Sequence, residues 1–278
     1  MTIDATADEV LATLGTGRQI APFTTRASGL TLEESYRALA LLDRKRMAHG
    51  ETRRGRKIGF TNRTIWAQYK VYAPIWGYVY DTTVHELGNT ASLRLDGFAE
   101  PRIEPEIVLG LAHAPSPDMD EGALIACIDW IAHGFEIVQT PFPGWKFKAA
   151  DTVAVNALHG RLVVGVPVPV ASIPDCLERL RAFRLALKKD DTVIAEGGGA
   201  NVLGSPLLAF AHLADLLVTL PQFPPVAAGE IVTTGTLTAV PPVGPGDTWS
   251  TTLSGIGLPG LTITVERSRM VVADERRP

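Results

Sequence analysis

The pattern of hydrophobic positions changes near residue 97. Beyond that point, short runs rich in Val, Ile and Thr alternate with glycine and proline turns, which is typical of β strands. One helix is predicted at about 120–131, and another at 206–220 with Ser205 as its N-cap. This part of the chain therefore predicts a mixed β fold with a few packed helices. The predicted strands span 103–111, 133–138, 162–170, 183–188, 192–195, 229–235, 246–253 and 261–265.

The N-terminal part of the chain has helical patterns instead. Thr31 and Glu34 form a capping box ahead of hydrophobic residues at helical spacing, and Gly50 ends this predicted helix. Residues 5–14 predict a shorter helix. The sequence thus predicts an α+β protein with a helical N-terminal region.

Composition and charge narrow the class of protein. The 278 residues are 46% hydrophobic and 20% charged, as in ordinary globular proteins. A net charge of −4 gives no reason to expect nucleic acid or an anionic membrane as a partner. There is no apolar run of about 18 residues and no secretion signal at the acidic N-terminus. Cys127 and Cys176 belong to no motif, so we expect a cytoplasmic protein with reduced thiols.

Three glutamates are candidate metal ligands. Glu104 and Glu106 project from the same face of the predicted strand 103–111, about 6.6 Å apart. If both were buried and ionised they would repel each other, and a hard cation would remove that repulsion. Glu136, on the next predicted strand, supplies a third carboxylate, which suits Mg²⁺ or Mn²⁺. The alternative is a solvent-facing edge strand that carries charges.

Two other polar residues are candidates for the same site. Lys57 begins an extended, glycine-flanked segment, where a side chain can point into a cleft. Asp81 lies near the end of the aromatic-rich segment 71–83 and is either a turn residue or a polar group of the site. A zinc site is disfavoured, because His133-x-x-Glu136 lacks a second histidine and there is no cysteine cluster.

Seven segments, in order along the chain, resemble the 2-keto-4-pentenoate hydratases, and the resemblance as a whole spans about residues 20 to 265. This group is close to the 4-oxalocrotonate decarboxylases, within the fumarylacetoacetate hydrolase superfamily. The most specific segment is Ile-Glu-x-Glu-Ile followed by a downstream Glu. The segments are Lys57–Thr61, Asp81, Arg102–Ile107, Glu136–Val138, Asp151–Asn156, Leu203–Leu207 and Thr233–Gly235.

The resemblance implies a fold and an organisation for the chain. The expected fold is α+β, with a fumarylacetoacetate hydrolase-like mixed β-barrel or roll as its core and a helical N-terminal region. Residues 1–80 would form the helical region and a substrate-side segment, and residues 81–278 a β-rich, metal-binding catalytic domain. Homo-oligomers are also implied.

The resemblance also implies the roles of individual residues. Glu104, Glu106 and Glu136 look like ligands of Mg²⁺ or Mn²⁺, and Lys57 and Asp81 look like the catalytic groups that face the substrate. Asn156, Ser205 and Thr234 match segments that bind substrate. The implied substrate is a small 2-oxo or enol acid, and the implied reaction is the addition of water to a 2-hydroxy-2,4-dienoate, as in the degradation of aromatic compounds.

The chain departs from the family pattern at three positions. Val155 stands where the family carries Asp, Pro141 where it carries Arg, and Ser205 where it carries His. These changes leave the glutamates intact but keep other reactions open. The alternatives are a 4-oxalocrotonate-type decarboxylase, an acylpyruvate C–C hydrolase using Lys57, His49 or His85 to activate water, and a non-catalytic binding protein. Near Pro141, aromatic residues indicate either an apolar pocket or simple packing: Phe142, Trp145 and Phe147.

Overall fold

A computed structural model describes residues 2–86 and 90–267. These residues form two β sheets with helices packed around them. The helices are α1 (Ile3–Leu11), α2 (Leu32–Ala48), α3 (Trp66–Tyr69), α4 (Glu121–Ile125), α5 (Ala149–Ala154), α6 (Cys176–Ala182) and α7 (Pro206–Val218). The strands are β1 (Arg53–Gly59), β2 (Ile75–Tyr80), β3 (Val84–Glu86), β4 (Thr90–Leu93), β5 (Arg102–Leu111), β6 (Ile128–Val138), β7 (His159–Val164), β8 (Val168–Pro169), β9 (Arg184–Lys189), β10 (Thr192–Gly198), β11 (Ile231–Thr233), β12 (Thr248–Ser254) and β13 (Thr262–Val265).

The larger sheet curls round on itself. Its strand order is β2-β1-β11-β5-β6-β7-β3, with β8 added beside β6. In a flat sheet the two outer strands would lie about 29 Å apart, at about 4.8 Å per strand. Yet β2 and β3 are joined by residues 81–83 alone, a connection that spans at most about 14 Å. The edges must therefore approach each other, which confirms the predicted β-barrel-like core.

The predicted boundary between residues 80 and 81 runs through this sheet. Strands β1 and β2 lie before the boundary, but β1 pairs with β11, and β11 pairs with β5. Residues from both predicted regions thus form one continuous sheet.

The two faces of the curled sheet have different contents. Side chains alternate along β5, so Ile103 and Ile107 pack into the main hydrophobic core. Val108 points the other way and packs with Val79, Ala132 and other apolar residues. Five strands contribute to this second cluster. Because these strands span the sheet, this second cluster fills its concave interior. Glu104 and Glu106 lie on the same face of β5 as Val108, at one end of that interior.

The smaller sheet has the order β10-β9-β12-β13-β4 and packs on the main core through Leu187 and Trp249. The predicted hairpin is present as β9 and β10. Ser205 caps α7, because its Oγ accepts a hydrogen bond from the Leu207 N–H. No helix in the described ranges is long and apolar enough to cross a membrane.

The predicted helices are confirmed except one. The capping box of Thr31 and Glu34 is present at the start of α2. The helix predicted at about 120–131 is wrong, since α4 ends at Ile125 and β6 begins at Ile128. In β6, Trp130 lies opposite Gly110 and Ile131 opposite Leu109. Pairing with a distant strand therefore outweighs the local helical pattern.

Candidate metal centre

Three glutamate side chains converge at one end of the curled sheet. Glu104 of β5 lies directly opposite Glu136 of β6, and Glu106 lies opposite Gly134. Directly opposed residues share a face of an antiparallel pair, as do residues two apart along one strand. The three carboxylates therefore point to the same place, where one oxygen from each lies within 4.8 Å of the others. Glu106 and Glu136 are fully buried, and Glu104 is half-buried.

Two of the carboxylate oxygens have no hydrogen-bond donor among the described residues. Glu106 Oε2 accepts a hydrogen bond of 2.9 Å from the Gly235 N–H, but its Oε1 has no donor. Glu136 Oε2 also lacks one. Gly235 has a φ of +99°, and a Cβ there would lie 1.9 Å from Thr61 Oγ1, so only glycine fits this contact. Buried carboxylate oxygens without donors indicate that a ligand supplies their partner.

Lys57 is the cation at the centre. It lies on β1 opposite Thr233, with its Nζ 3.1 Å from Glu136 Oε2, in a geometry that is an ion pair rather than a hydrogen bond. The same Nζ donates a hydrogen bond of 3.0 Å to the Ala157 carbonyl. Three consecutive residues with left-handed backbone, at 156–158, present that carbonyl. Such conformations cost about 1 kcal/mol or more each, so packing must hold this segment in place.

The charges at the centre shift one another's pKa values. Burial raises the pKa of Glu104 to about 7, against the opposing effect of Lys57, and the Glu136 charge adds to the rise. Burial, with Glu136 and Glu104 close by, also raises the pKa of Glu106 well above its ordinary value. For Glu136, burial opposes ionisation, but Lys57 and a hydrogen bond from His159 lower its pKa. The pKa of Lys57 is raised, since the three carboxylates outweigh its burial.

The residues present fit a divalent cation. Three carboxylates and one ammonium leave two negative charges, and two oxygens lack donors. Hard cations such as Mg²⁺ and Mn²⁺ prefer such an all-oxygen donor set. Without a cation, two of the three glutamates are driven towards their protonated forms. Glu104, Glu106 and Glu136 are thus brought together as the sequence predicts.

A small cavity adjoins the centre. Lys57 and Glu104 form its polar end, and the remaining wall is mostly apolar and aromatic, including Phe60, Tyr69 and Trp145. It leaves about 20 Å³ of free space, enough for about one water molecule. An organic acid therefore needs some of this wall to move. Both interpretations of the aromatic residues near Pro141 apply. Trp145 lines this cavity, whereas Phe142 packs in the core.

Asp81 is not brought to the centre. Its carboxylate is exposed and accepts hydrogen bonds from the N–H and hydroxyl of Thr52, in the turn after β2. Thr52 lies five residues before Lys57, or about 16 Å along an extended chain. This placement makes Asp81 a turn residue and gives its predicted catalytic role no support.

The three predicted substrate-binding residues instead bond to backbone. Asn156 donates to the Tyr78 carbonyl and accepts from the Tyr78 N–H, both at 2.8 Å, and so covers the free edge of β2. Gly77 allows this approach, since a Cβ there would lie 2.7 Å from the Asn156 side chain. Ser205 caps α7, and the Thr234 hydroxyl donates to the Ile107 carbonyl. Each of these buried groups has a structural partner, and none of the hydrogen bonds described here joins one of them to a carboxylate of the centre.

Two residues at the centre were missed from the sequence. Thr233 lies opposite Lys57 and Val108 on the inward face, and its buried hydroxyl lies beside Glu106. Alternation along β11 would have favoured it over Thr234. His159 contacts Glu136 from β7, and no local motif signals this contact.

Two of the departures from the family pattern line a different cavity from the one beside Lys57. Pro141 and Val155 line a second, mainly apolar cavity. Val10 and Ile20 of the N-terminal region and the His159 side chain also line it. Neither residue lines the cavity beside Lys57 and Glu104. The absence of the family's Asp and Arg at these two positions therefore leaves Lys57 and Glu104, the polar end of the cavity beside them, unchanged.

A curled sheet with an inward-facing cluster of three carboxylates and a lysine defines an acidic candidate metal centre on a fumarylacetoacetate hydrolase-like fold. The manganese- and pyruvate-bound fumarylpyruvate hydrolase from Pseudomonas aeruginosa shares this fold, with a TM-score of 0.59 and 15% identity over 78% of this chain and 91% of that one. The 4-oxalocrotonate decarboxylase from Pseudomonas putida G7, in complex with magnesium and adipate, is more similar. Its TM-score is 0.84, with 27% identity over 95% of this chain and 97% of the other.

The sequence relatives indicate a more specific family than the fold does. The chain is 31% identical to 2-hydroxyhexa-2,4-dienoate hydratase of Comamonas testosteroni, over 94% of this chain and 97% of the relative. It is 32% identical to 2-keto-4-pentenoate hydratase 1 of Dechloromonas aromatica, over 92% and 95%. No protein-family model matches. The chain belongs to the 2-keto-4-pentenoate hydratase family.

Proposed function

We propose that this protein is a divalent-metal-dependent hydratase that adds water to a 2-hydroxy-2,4-dienoate and yields a 4-hydroxy-2-oxo acid. The observation that carries the proposal is the buried cluster of Glu104, Glu106 and Glu136, whose three carboxylates face a single ammonium, that of Lys57. A site of this charge suits a cation that in turn binds an acid. The names of its sequence relatives, which are dienoate hydratases, support this reaction.

The three glutamates would hold Mg²⁺ or Mn²⁺. When bound, such a cation supplies a Lewis acid for the carboxylate and C2 oxygen of the substrate. The charge of the centre then becomes close to neutral. The metal complexes of the two similar solved structures support this assignment.

Lys57 is the proposed proton carrier. Among the residues lining the cavity, the other ionisable side chains are Glu104, assigned to the metal, and Tyr69, whose pKa is raised by burial. The 2-hydroxyl of the dienol loses a proton and C5 gains one, which gives the conjugated keto acid. Water then adds its oxygen at C4 and a proton at C3. In the first step Lys57 can give its proton to C5 and take up the proton of the 2-hydroxyl. In the second it can give its proton to C3 and take one from the attacking water, so that it ends each step protonated.

The cavity wall favours hydration over decarboxylation. A 4-oxalocrotonate-type substrate carries a second carboxylate at its far end. Within the cavity lining, Lys57 is the one cation, and it lies at the metal end. Decarboxylation is the second candidate, supported by the decarboxylase structure. Arg102 is the residue to test for it, because its Nη1 lies 3.1 Å from the Tyr69 hydroxyl on the cavity wall.

The direct test is an assay with 2-hydroxypenta-2,4-dienoate and Mg²⁺ or Mn²⁺. We expect metal-dependent loss of the dienol absorbance and formation of 4-hydroxy-2-oxopentanoate. Release of CO₂ from a 2-oxo-enedioate would identify a decarboxylase instead, and pyruvate from an acylpyruvate a C–C hydrolase. Binding of these acids with no turnover would identify a non-catalytic relative.

A cytoplasmic homo-oligomer completes the proposal. Cys127 and Cys176 are free thiols, as expected in a reducing compartment. Strand β10 lies at the edge of the smaller sheet and exposes Val193 and Ile194, a surface that another copy could cover. Light scattering of the purified protein would measure the assembly.

A further inference from the structure

We propose that His159 is a positioning residue, which binds one oxygen of Glu136 and so reserves the other for the metal. The inference rests on the proposed metal site. It assigns a role to a residue that is part of neither the carboxylate cluster nor the cavity wall beside Lys57.

The geometry separates the two oxygens of Glu136. His159 is buried at the start of β7, with its Nδ1 2.8 Å from Glu136 Oε1. Glu136 Oε2 is the oxygen without a hydrogen-bond donor, and it is the one next to Lys57 Nζ. One oxygen is thus engaged by the imidazole, and the carboxylate cannot rotate without breaking that hydrogen bond. In metal sites, such outer hydrogen bonds orient the ligand.

The second ring nitrogen fixes the imidazole in turn. A carboxylate only accepts hydrogen bonds, so Nδ1 carries the proton, and Nε2 of the neutral ring is an acceptor. The Thr83 hydroxyl lies 2.8 Å from Nε2 and 3.1 Å from the Tyr80 carbonyl, and its single proton can go to Nε2, the nearer of the two acceptors. Thr83 belongs to the connection between β2 and β3, where the curled sheet closes. The hydrogen-bonded series Thr83–His159–Glu136 therefore links that closure to a metal ligand.

His133 provides a matched control. It is also buried, and its Nε2 lies 2.8 Å from a threonine hydroxyl, that of Thr251. Its Nδ1, however, bonds to the main-chain carbonyl of Glu106 at 3.0 Å rather than to a carboxylate. Replacing His133 also removes a buried imidazole that bonds to a threonine hydroxyl, but it removes no hydrogen bond to a carboxylate oxygen.

The test is Mn²⁺ affinity of the full chain after treatment with a chelator, measured by calorimetry or electron paramagnetic resonance without substrate. We expect His159→Leu to bind Mn²⁺ about 10- to 100-fold more weakly, the range typical of lost outer-shell hydrogen bonds. His159→Asn keeps an N–H donor near the position of Nδ1 and should recover most of that loss. His133→Leu should bind Mn²⁺ like the parent.

Two results would overturn the role of His159: unchanged affinity in His159→Leu, or an equal loss in His133→Leu. If His159→Leu does not fold, as judged by circular dichroism, Thr83→Val tests the same hydrogen bonds. It should weaken Mn²⁺ binding, and an unchanged affinity there would equally contradict the proposal. A parent protein that binds no Mn²⁺ would instead contradict the proposed metal-dependent function.

Discussion

Two groups of buried charges lie on opposite faces of β1 and β2, and they differ in how their charge is balanced. On the outer face, three arginines lie over three aromatic rings of β2, and each has a carboxylate partner. Arg53 Nε, for example, donates to Asp43 at 2.9 Å, and the guanidinium lies 4.7 Å from the centre of the Tyr78 ring. The three sets are Arg46, Glu51 and Tyr80; Arg53, Asp43 and Tyr78; and Arg56, Glu230 and Trp76.

The inner face is not balanced in this way. There, Lys57 alone faces three carboxylates, and two of their oxygens have no donor in the described chain. Burying unpaired charge costs several kcal/mol per ion, so a site of this kind persists where a ligand completes it. The comparison teaches that burial of charge alone does not mark a functional site. The unmatched negative charge does, since buried polar atoms without a hydrogen-bond partner also occur on the outer face, such as Arg56 Nη1.

The largest effect is expected from Glu106→Gln. Loss of this carboxylate should abolish metal binding and lower turnover by about 1,000-fold or more, because a Lewis acid supplies several kcal/mol to the reaction. Gln also mimics the protonated carboxyl that burial favours in the metal-free protein, so the melting temperature should not fall. Calorimetry with Mn²⁺, the dienol assay and a thermal melt measure these effects. The exposed Glu86→Gln is the control, and full activity of Glu106→Gln without bound metal would exclude the site.

Lys57→Met should separate catalysis from metal binding. We expect turnover to fall by about 100-fold or more, the usual contribution of a positioned proton donor or acceptor. Mn²⁺ affinity should stay equal or rise, since the substitution removes a positive charge beside the ligands. Steady-state kinetics and a metal titration of the same sample measure both. If Lys57→Met lost Mn²⁺ binding as Glu106→Gln should, the lysine would be needed to assemble the site.

Arg53→Met tests the outer face. The substitution removes the arginine that bonds to the buried Asp43 carboxylate, which keeps its hydrogen bond from the Tyr80 hydroxyl. We expect a loss of about 2–3 kcal/mol in the free energy of unfolding, somewhat below the usual cost of breaking a buried pair because Arg53 is partly exposed. Chemical denaturation measures the loss. Mn²⁺ affinity should be unchanged, and a parallel loss of affinity would show that the two faces are coupled.

The pH dependence should have opposite signs with and without metal. The pKa of Glu104 is raised from its ordinary value of 4.5 to about 7 in the folded protein. The folded state therefore holds a proton that the unfolded state has lost, and metal-free stability should fall as the pH rises from 4.5 through 7. Mn²⁺ must displace that proton, so its affinity should rise up to tenfold per pH unit over the same range.

Thermal melts and Mn²⁺ titrations between pH 5 and 8 measure the two trends. Per pH unit this is the smallest of the four effects, because one proton changes the Mn²⁺ affinity at most tenfold. A Mn²⁺ affinity independent of pH would mean that Glu104 is not a ligand.

The sequence predicted the acidic cluster because its signal is local. Strand alternation puts Glu104 and Glu106 on one face, the next predicted strand presents Glu136, and the glycine-flanked segment made Lys57 a candidate. The family resemblance then supported all four. The roles of Asp81 and Asn156 could not be read this way, because they depend on which distant backbone groups need a partner. Asn156 matches the family segment, yet its amide bonds to the free edge of β2. Likewise, residues 128–131 form a strand because β5 lies beside them.

The central claim is that Glu104, Glu106 and Glu136 together hold one divalent cation. Anomalous diffraction from a crystal soaked with Mn²⁺ tests it most directly, because it locates the ion and its ligands without reference to activity. The account predicts one strong Mn²⁺ peak within about 2.0–2.3 Å of an oxygen from each glutamate. A peak elsewhere, or none at this cluster at saturating Mn²⁺, would contradict it.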